Sequence, residues 1–338
     1  MSARICRWLG RIALLLVAST GLADGRPGGN THLLIITGLG GDDYYDELFA
    51  RWSATLREVA NAELAIPRER VAHLAPRGAA SAGGAEGESR KPEVLAAIRR
   101  MAADSRPGDL LALVLIGHGT AQGARVRFNL PGPDLSPAEL AAALDAITDR
   151  TVVVVNTASA SGPFMPALAG PDRVVITATS SGAENQHTRF GGHFVSAFAK
   201  AAADKDKNRR VSLLEAFDYA RAEVARAYHQ DARLQTEHAM LDDNGDGDGV
   251  RAPTTGGGDG MHAARVHLAA LNVPYSNDSA GARARLALSI DARRLVDHIE
   301  ALKRLKPSLE ASEFEQRLEV LLLELALNRR AFKAVATP

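Results

Sequence analysis

The stretch TVVVVNTASASGPF, residues 151–164, places four consecutive valines directly before a run of small and polar residues. An uninterrupted β-branched run of this kind is typical of a strand that is buried on both faces of a sheet. Residues 156–162 are too small and too polar to continue such a strand. They predict either a tight turn or a site at the end of the strand.

Similar apolar runs recur along the chain and alternate with helical patterns. Strands are predicted at residues 31–38, 70–75, 109–119, 151–156 and 173–179, and helices at 42–60, 92–103 and 136–147. Strands that alternate with helices predict an α/β fold with a mostly parallel sheet covered by helices on both faces. The Gly-, Ala- and Ser-rich residues 78–89 are predicted to form a surface loop.

Two of the predicted helices carry specific signals. Leu48, Trp52 and Leu56 recur at helical spacing in the first helix and are predicted to share its buried face. Ser136 precedes the third helix, and Glu139 follows three residues later, which is the pattern of a capping box.

In open parallel sheets, sites form beyond the carboxyl ends of the strands. His118 follows the strand at 109–119, and Ser159 follows the strand at 151–156. Adjacent parallel strands lie about 5 Å apart, so these side chains could form a base and nucleophile pair. Gly119 and the small residues around Ser159 leave backbone N–H groups available as oxyanion donors. The alternative is that His118 and Ser159 only satisfy each other at a turn.

The segments LIGHG (115–119) and VVVVNTASASG (152–162) resemble the caspase–legumain superfamily of cysteine peptidases, in its bacterial exported, legumain-type form. The intervening helix, the ITAT strand end (176–179) and the opening ITGLGG (36–41) match as well, so the resemblance covers roughly residues 31–245. It implies a caspase–legumain-like fold, peptides as substrates or ligands, and His118 as general base. It also implies that Ser159 stands at the position of the nucleophilic cysteine, with the N–H groups of Gly119 and Ser159 as oxyanion donors.

The serine departs from the family pattern. A thiolate forms readily beside histidine, whereas a serine needs its base within about 3 Å and a third group that orients the base. The sequence shows no evident orienting acid, and Ser161 remains an alternative as the relevant hydroxyl. Legumains carry a substrate-binding arginine near the place of Asp46, so their substrate preference is not carried over.

Three functions therefore stay open. The first is a weak or inactive peptidase homologue, a pseudopeptidase that binds peptides. The second is an active exported serine peptidase or esterase that uses Ser159 and His118. The third is a non-catalytic assembly module that acts through the C-terminal helices.

Two acidic segments have the oxygen spacing of calcium-binding loops. In residues 204–215, the oxygen-bearing side chains at loop positions 1, 3, 5, 9 and 12 are Asp204, Asp206, Asn208, Ser212 and Glu215. In residues 242–253, those at positions 1, 3 and 5 are Asp242, Asn244 and Asp246. Arg209 replaces the glycine of the first loop, and Pro253 replaces the final carboxylate of the second. The predicted chemistry requires no cofactor; calcium is the cation expected if these loops bind one, and a helix cap or surface turn is the alternative.

The N-terminus predicts export. Arg4, Arg7 and Arg11 precede an apolar run at 12–18, and small residues lead to Ala23. This pattern predicts a signal peptide over residues 1–23 and a periplasmic or secreted protein. Cys6 is the only cysteine, so cleavage would leave no thiol. The formal net charge of zero gives no indication of a nucleic-acid partner.

The C-terminal part differs from the rest of the chain. Apolar residues recur every three or four positions over residues 285–335, with an interruption at Lys306-Pro307. This pattern predicts a helical hairpin or coiled-coil segment, which either packs within the chain or forms a homodimer. The sequence thus predicts an α/β domain over 31–245, an irregular linker over 246–284 and helices over 285–335.

Overall fold

The protein is described from a computed structural model. The structure describes residues 30–78, 84–200, 202–208, 210–269 and 309–336, and separate positions between 292 and 306. The predicted signal peptide, residues 79–83 of the predicted loop, Arg209 and residues 270–291 lie outside the described residues.

A central sheet of seven strands and a separate two-stranded hairpin form the β structure. The strands are β1 (Thr31–Thr37), β2 (Val71–Ala75), β3 (Gly87–Glu88), β4 (Leu110–Ile116), β5 (Gly119–Gln122), β6 (Arg125–Phe128), β7 (Thr151–Asn156), β8 (Arg173–Thr177) and β9 (Met240–Asp242). The sheet order is β3-β2-β1-β4-β7-β8-β9, and β5 pairs with β6. Every neighbouring pair in the large sheet is parallel except β8 with β9. The predicted α/β fold with a mostly parallel sheet is confirmed.

Helices cover both faces of the sheet. They are α1 (Asp43–Ala62), α2 (Lys91–Asp104), α3 (Pro137–Asp145), α4 (Met165–Leu168), α5 (Phe190–Ala197), α6 (Leu213–Gln230) and α7 (Ala311–Ala336). Successive strand residues point to opposite faces. Leu33 and Ile35 of β1 therefore join the core formed with α1, α5 and α6. Leu34 and Ile36 join the core formed with α2, α3 and α4. The capping box predicted at the start of α3 is present.

The buried face of α1 differs from the prediction. Phe49 and Leu56 are buried against the sheet, and Ser53 lies between them with its hydroxyl 2.7 Å from that of a β1 threonine. Leu48 and Trp52 are only partly buried. The buried face shares Leu56 with the predicted one but is displaced around the helix toward Phe49 and Ser53, by less than the 100° of one residue.

Short elements were not predicted. Strand β3 lies within the residues predicted as a surface loop and pairs with β2 over two residues. The β5–β6 hairpin and helix α5 also went unrecognised, because elements of four to eight residues show too little periodicity.

The chain after β9 contributes to the core. Ala263 and Leu268 are fully buried in the cluster formed with α6, and the N–H of Leu213 donates to the carbonyl of Val266 at 2.9 Å. Across the described part of the chain, no helix combines the length and hydropathy needed to cross a membrane.

Candidate active site

Ser159 lies in the turn that follows β7, and its side chain contacts the start of β5. It is 2% exposed. Its Oγ donates a hydrogen bond to the carbonyl of Gly119 at 3.1 Å and accepts one from the N–H of Gly119 at 3.2 Å. Gly119 is paired with Phe128 in the β5–β6 hairpin, but the two do not exchange backbone hydrogen bonds, because the N–H and carbonyl of Phe128 bond to Leu135. The backbone groups of Gly119 are therefore left for Ser159.

The turn itself is tightly constrained. Ala160 has a φ of 51°, a left-handed conformation that costs a non-glycine residue about 1–2 kcal/mol. Its N–H donates to the carbonyl of Glu184 at 2.8 Å, which holds this conformation. A Cβ on Gly162 would collide with the backbone of Ser180, so only glycine fits there. Strained backbone held by surrounding contacts is concentrated at functional sites.

Ser161, the alternative hydroxyl, faces a different strand end. Its Oγ lies 3.2 Å from Oγ1 of Thr179 and accepts a hydrogen bond from the N–H of Thr179 at 3.2 Å. These contacts join the turn after β7 to the residues that follow β8. Ser161 is thus engaged in holding the two loops together, and Ser159 is the hydroxyl beside β4 and β5.

His118 lies two residues beyond the end of β4, and β4 is the strand adjacent to β7. Its ring packs edge-on against Tyr45 and Phe49, with centroid distances of 4.7 and 5.0 Å. Burial lowers the pKa of His118 below its usual value, although the charges of Asp42 and Asp46 and a hydrogen bond with the Gly40 backbone oppose this shift. The imidazole is therefore neutral at neutral pH, as a general base must be.

A second histidine, His187, lies beside the first, with ring centroids 6.0 Å apart. It packs against Tyr45 at 4.7 Å and stacks on Trp52 at 6.1 Å. Burial, followed by the proximity of His118 and Arg189, lowers the pKa of His187 to about 4. No spacing pattern in the sequence singled out His187 or Tyr45, because their proximity to His118 arises only from packing.

The structure thus places His118, Gly119 and Ser159 at adjacent strand ends. Within the described residues, however, no hydrogen bond joins the ring of His118 to the hydroxyl of Ser159. The Gly40 backbone, which follows β1, lies close enough to the ring to favour its protonated form and so to oppose the lowering of the pKa. The carboxylate of Asp46 accepts the N–H of Gly40 at 2.9 Å, and within the described residues no hydrogen bond joins it to His118.

The first acidic loop gathers three carboxylates. Oxygen atoms of Asp204, Asp206 and Glu215 lie within 4.8 Å of one another, the one such group among the described residues. Although Asp206 is exposed, partial loss of its hydration and the charges of Glu215 and Asp204 raise its pKa, and a hydrogen bond from the N–H of Asn208 opposes this shift. Asn208 instead uses its N–H and amide to contact Asp204 and Asp206. Ser212 is the N-cap of α6 and shares a capping box with Glu215, which is the alternative that the sequence left open.

The second acidic loop is organised by its own backbone. Asp242 is fully buried, and its carboxylate accepts the N–H groups of Gly245 and Gly247 at 3.0 and 2.6 Å. Asn244 and Asp246 contact each other at 2.9 Å. Burial is the main cause that raises the pKa of Asp242. These contacts describe an acidic turn whose carboxylates already have hydrogen-bond donors.

Comparisons with known proteins give similarity to solved structures but not to families or curated proteins. A scan against protein-family models and a search of curated proteins returned no match. Among solved structures, the chain is similar to caspase-1 from Spodoptera frugiperda, with a TM-score of 0.42 and 11% sequence identity. The similarity covers 64% of this chain and 87% of the caspase chain. At this identity the match assigns no residue a role, so function is inferred from the site itself.

Proposed function

We propose that this protein is a peptidase homologue that binds peptides at the strand ends around Ser159 and His118, and that it hydrolyses them weakly or not at all. The observation that carries this proposal is the pair of hydrogen bonds between the Ser159 hydroxyl and the backbone of Gly119. The proton of the hydroxyl is directed at a carbonyl instead of a base. The N–H that would stabilise an oxyanion is already donating to the same hydroxyl.

Activation of the serine requires a different arrangement. A serine nucleophile becomes reactive when a base lies within hydrogen-bond distance and a third group orients that base. Burial favours the neutral form of His118. Among the described residues, the hydroxyl of Ser159 is hydrogen-bonded to Gly119 and not to the ring of His118. A thiol at the same position would need less accurate placement, because a thiolate can form without direct proton transfer in the transition state.

Peptide binding does not depend on that activation. Beside the Ser159 turn lies a groove lined by small apolar residues. The residues that line it include Ala121, Val126, Pro163, Gly182 and Ala183. An open groove of this kind can receive a peptide chain, and the N–H of Gly119, which lies outside the groove lining, would bind a peptide carbonyl that replaces the hydroxyl. The predicted signal peptide supports a periplasmic or secreted location as part of this proposal.

A second candidate, an active serine peptidase or esterase, is favoured by the left-handed backbone at Ala160. Strain directly after a nucleophile can expose its side chain to substrate. This candidate requires the Ser159 hydroxyl to leave Gly119 and approach His118 once substrate binds.

The test compares the natural protein with Ser159→Cys, using a mixed peptide library and a fluorophosphonate probe. We expect peptides to bind the natural protein, and we expect the fluorophosphonate probe not to label Ser159. Ser159→Cys should cleave slowly, and this activity should disappear when His118→Ala is added. Ser161→Cys is the matched control, since its thiol lies two residues away and should not cleave.

Two results would overturn the proposal. Labelling of Ser159 that is lost in His118→Ala would establish the serine hydrolase instead. If neither the natural protein nor Ser159→Cys binds or cleaves any peptide, the site is not a peptide site, and assembly through the C-terminal helices becomes the leading function.

A further inference from the structure

The loop between β8 and α5 supports the turn that follows β7. We call residues 180–188 the support loop. The carbonyl of Glu184 accepts the N–H of Ala160 at 2.8 Å, and the hydroxyl of Thr188 donates to the carbonyl of Thr157 at 2.5 Å. The same loop carries the second histidine of the candidate active site. The position of the support loop therefore determines the position of the turn.

The carboxylate of Glu184 anchors the support loop. It accepts the N–H and the hydroxyl of Ser180 at 2.9 and 2.8 Å, which closes the loop on itself. It also accepts the N–H of His238 at 3.0 Å and the ring Nδ1–H of His238 at 2.8 Å. Burial raises the pKa of Glu184, but the hydrogen bonds from Ser180 and His238 outweigh it and lower the pKa below its usual value. An ionised carboxylate with four donors is thus held from two sides.

His238 belongs to a segment that is distant in sequence from the support loop. We call residues 236–239, which lead into β9, the strap. The strap also contains Glu237, which is 2% exposed. The carboxylate of Glu237 accepts the N–H groups of Arg189 and Phe190 at the start of α5, at 2.8 and 3.0 Å. The two segments are therefore joined reciprocally, each by a carboxylate that accepts hydrogen bonds from the other side.

The contacts of Glu184 differ in their consequence from those of similar carboxylates. Glu139 and Glu215 also accept the N–H and the hydroxyl of a serine, but they do so in the capping boxes of α3 and α6. Glu184 lies in a loop, so its contacts fix its own backbone and not a helix end. The carbonyl of that backbone accepts the N–H of Ala160, whose left-handed conformation persists only where surrounding contacts hold it.

We infer that Glu184 is a positioning residue of the candidate active site, and that His238 holds it in place from outside the site. The carboxylate fixes the carbonyl of Glu184, the carbonyl holds Ala160, and the turn then directs the side chain of Ser159 toward Gly119. The effect of this positioning on cleavage rests on the proposed function, whereas the position of the turn does not.

The first experiment measures amide hydrogen exchange of the full chain by NMR. Glu184→Gln replaces an acceptor oxygen with an NH₂ group, so at least one of the four donors loses its partner. We expect the Ala160 amide to exchange at least about tenfold faster relative to the amides of β4, which report global unfolding. Glu139→Gln is the matched control, because this carboxylate also accepts the N–H and hydroxyl of a serine. It should leave the relative rate unchanged.

His238→Phe is a second variant that keeps the size of the ring and the backbone N–H. It removes only the Nδ1 donor to Glu184, so it should accelerate exchange of the Ala160 amide in the same way but by less, about threefold to tenfold. An Ala160 amide that exchanges no faster in Glu184→Gln than in Glu139→Gln would overturn the inference. If Glu184→Gln does not fold, an unchanged relative rate in His238→Phe would overturn it equally.

The second experiment adds the same substitutions to Ser159→Cys, for which the proposed function expects slow peptide cleavage. Glu184→Gln should lower kcat by about tenfold with little change in KM, because a displaced turn misplaces the thiol without removing a binding contact. An equal kcat in the Glu184→Gln and Glu139→Gln backgrounds would show that Glu184 does not position the reacting group. If Ser159→Cys is inert, the proposed function fails, and the exchange rates still decide whether Glu184 positions the turn.

Discussion

Replacing Ser159 with alanine separates a structural hydroxyl from a catalytic one. The hydroxyl is the hydrogen-bond partner of both the N–H and the carbonyl of Gly119, which is buried. Each buried polar group left without a partner costs about 1–3 kcal/mol. The cavity created is only one oxygen atom in size and adds little. With two groups left unpaired, we therefore expect Ser159→Ala to lower the free energy of unfolding by about 2–6 kcal/mol.

Urea denaturation followed by circular dichroism measures this change. Ser181→Ala is the matched control, because the hydroxyl of Ser181 makes no hydrogen bond with the described residues, and its removal should change stability by less than about 0.5 kcal/mol. The stability of Ser159→Cys should lie between those of Ser159→Ala and the control, since a thiol is a weak donor and a weak acceptor. If Ser159→Ala is as stable as the control, the hydroxyl does not hold the turn, and the reasoning behind the proposed function fails.

Three further predictions concern stability. Burial raises the pKa of Asp109, but hydrogen bonds from two backbone N–H groups and a histidine outweigh it and lower the pKa below its usual value. The stabilisation of the fold by this carboxylate should be present above the unfolded pKa of about 3.9 and be lost as the pH falls through the folded pKa. Asp109→Asn should therefore flatten this part of the acid denaturation curve, and an unchanged curve would contradict the prediction. Gly162→Ala should lower the free energy of unfolding by at least about 1–3 kcal/mol, because its Cβ would collide with the backbone. Gly123→Ala should lower it by only about 1 kcal/mol, since Gly123 has open space and only its left-handed φ opposes alanine. Equal losses in thermal or urea unfolding would contradict this prediction. If an acidic loop binds calcium, millimolar calcium should raise the thermal midpoint in calorimetry, and Asp204→Asn or Asp246→Asn should abolish the rise in the loop responsible; no shift with calcium or chelator would leave only the structural roles.

The central strands could be predicted because their sequence signal is strong. Leucine and valine runs such as 110–116 and 151–156 are buried on both faces of a parallel sheet, and this environment requires an uninterrupted apolar sequence. The ends of these strands then follow, and with them the proximity of His118 and Ser159. Strand β3 and the β5–β6 hairpin were missed, because their pairing depends on neighbours and not on their own sequence.

The partners of the site residues could not be predicted in the same way. The influence of Gly40 on His118 comes from the backbone, which has no sequence signature. The position of His187 depends on which residues of α1 face it, and of the three residues predicted on one face of that helix only Leu56 is fully buried. Trp52 was predicted on the same face as Leu56, whereas its ring lies against the glycines of α5. Side-chain neighbourhoods of this kind depend on packing between elements that are distant in sequence.

The contact between Ser159 and Gly119 also connects stability with binding. In the proposed function, a peptide carbonyl takes the N–H of Gly119, and the hydroxyl of Ser159 must first release it. Exchanging one neutral hydrogen bond for another leaves little net free energy, so affinity has to come from the rest of the groove. Removing the hydroxyl removes the competing acceptor and leaves the N–H ready for the ligand.

Ser159→Ala should therefore bind library peptides more tightly while it is less stable. Because a typical hydrogen bond contributes about 1 kcal/mol, we expect an increase in affinity of about fivefold, measured by titration calorimetry on the natural and variant proteins. Ser161→Ala serves as the control, since Ser161 contacts Thr179 and not Gly119, and its affinity should not increase. An affinity for Ser159→Ala that is unchanged or weaker would show that the peptide does not use the N–H of Gly119. Opposite changes in stability and affinity are difficult to obtain by general loosening of the turn, which would lower both.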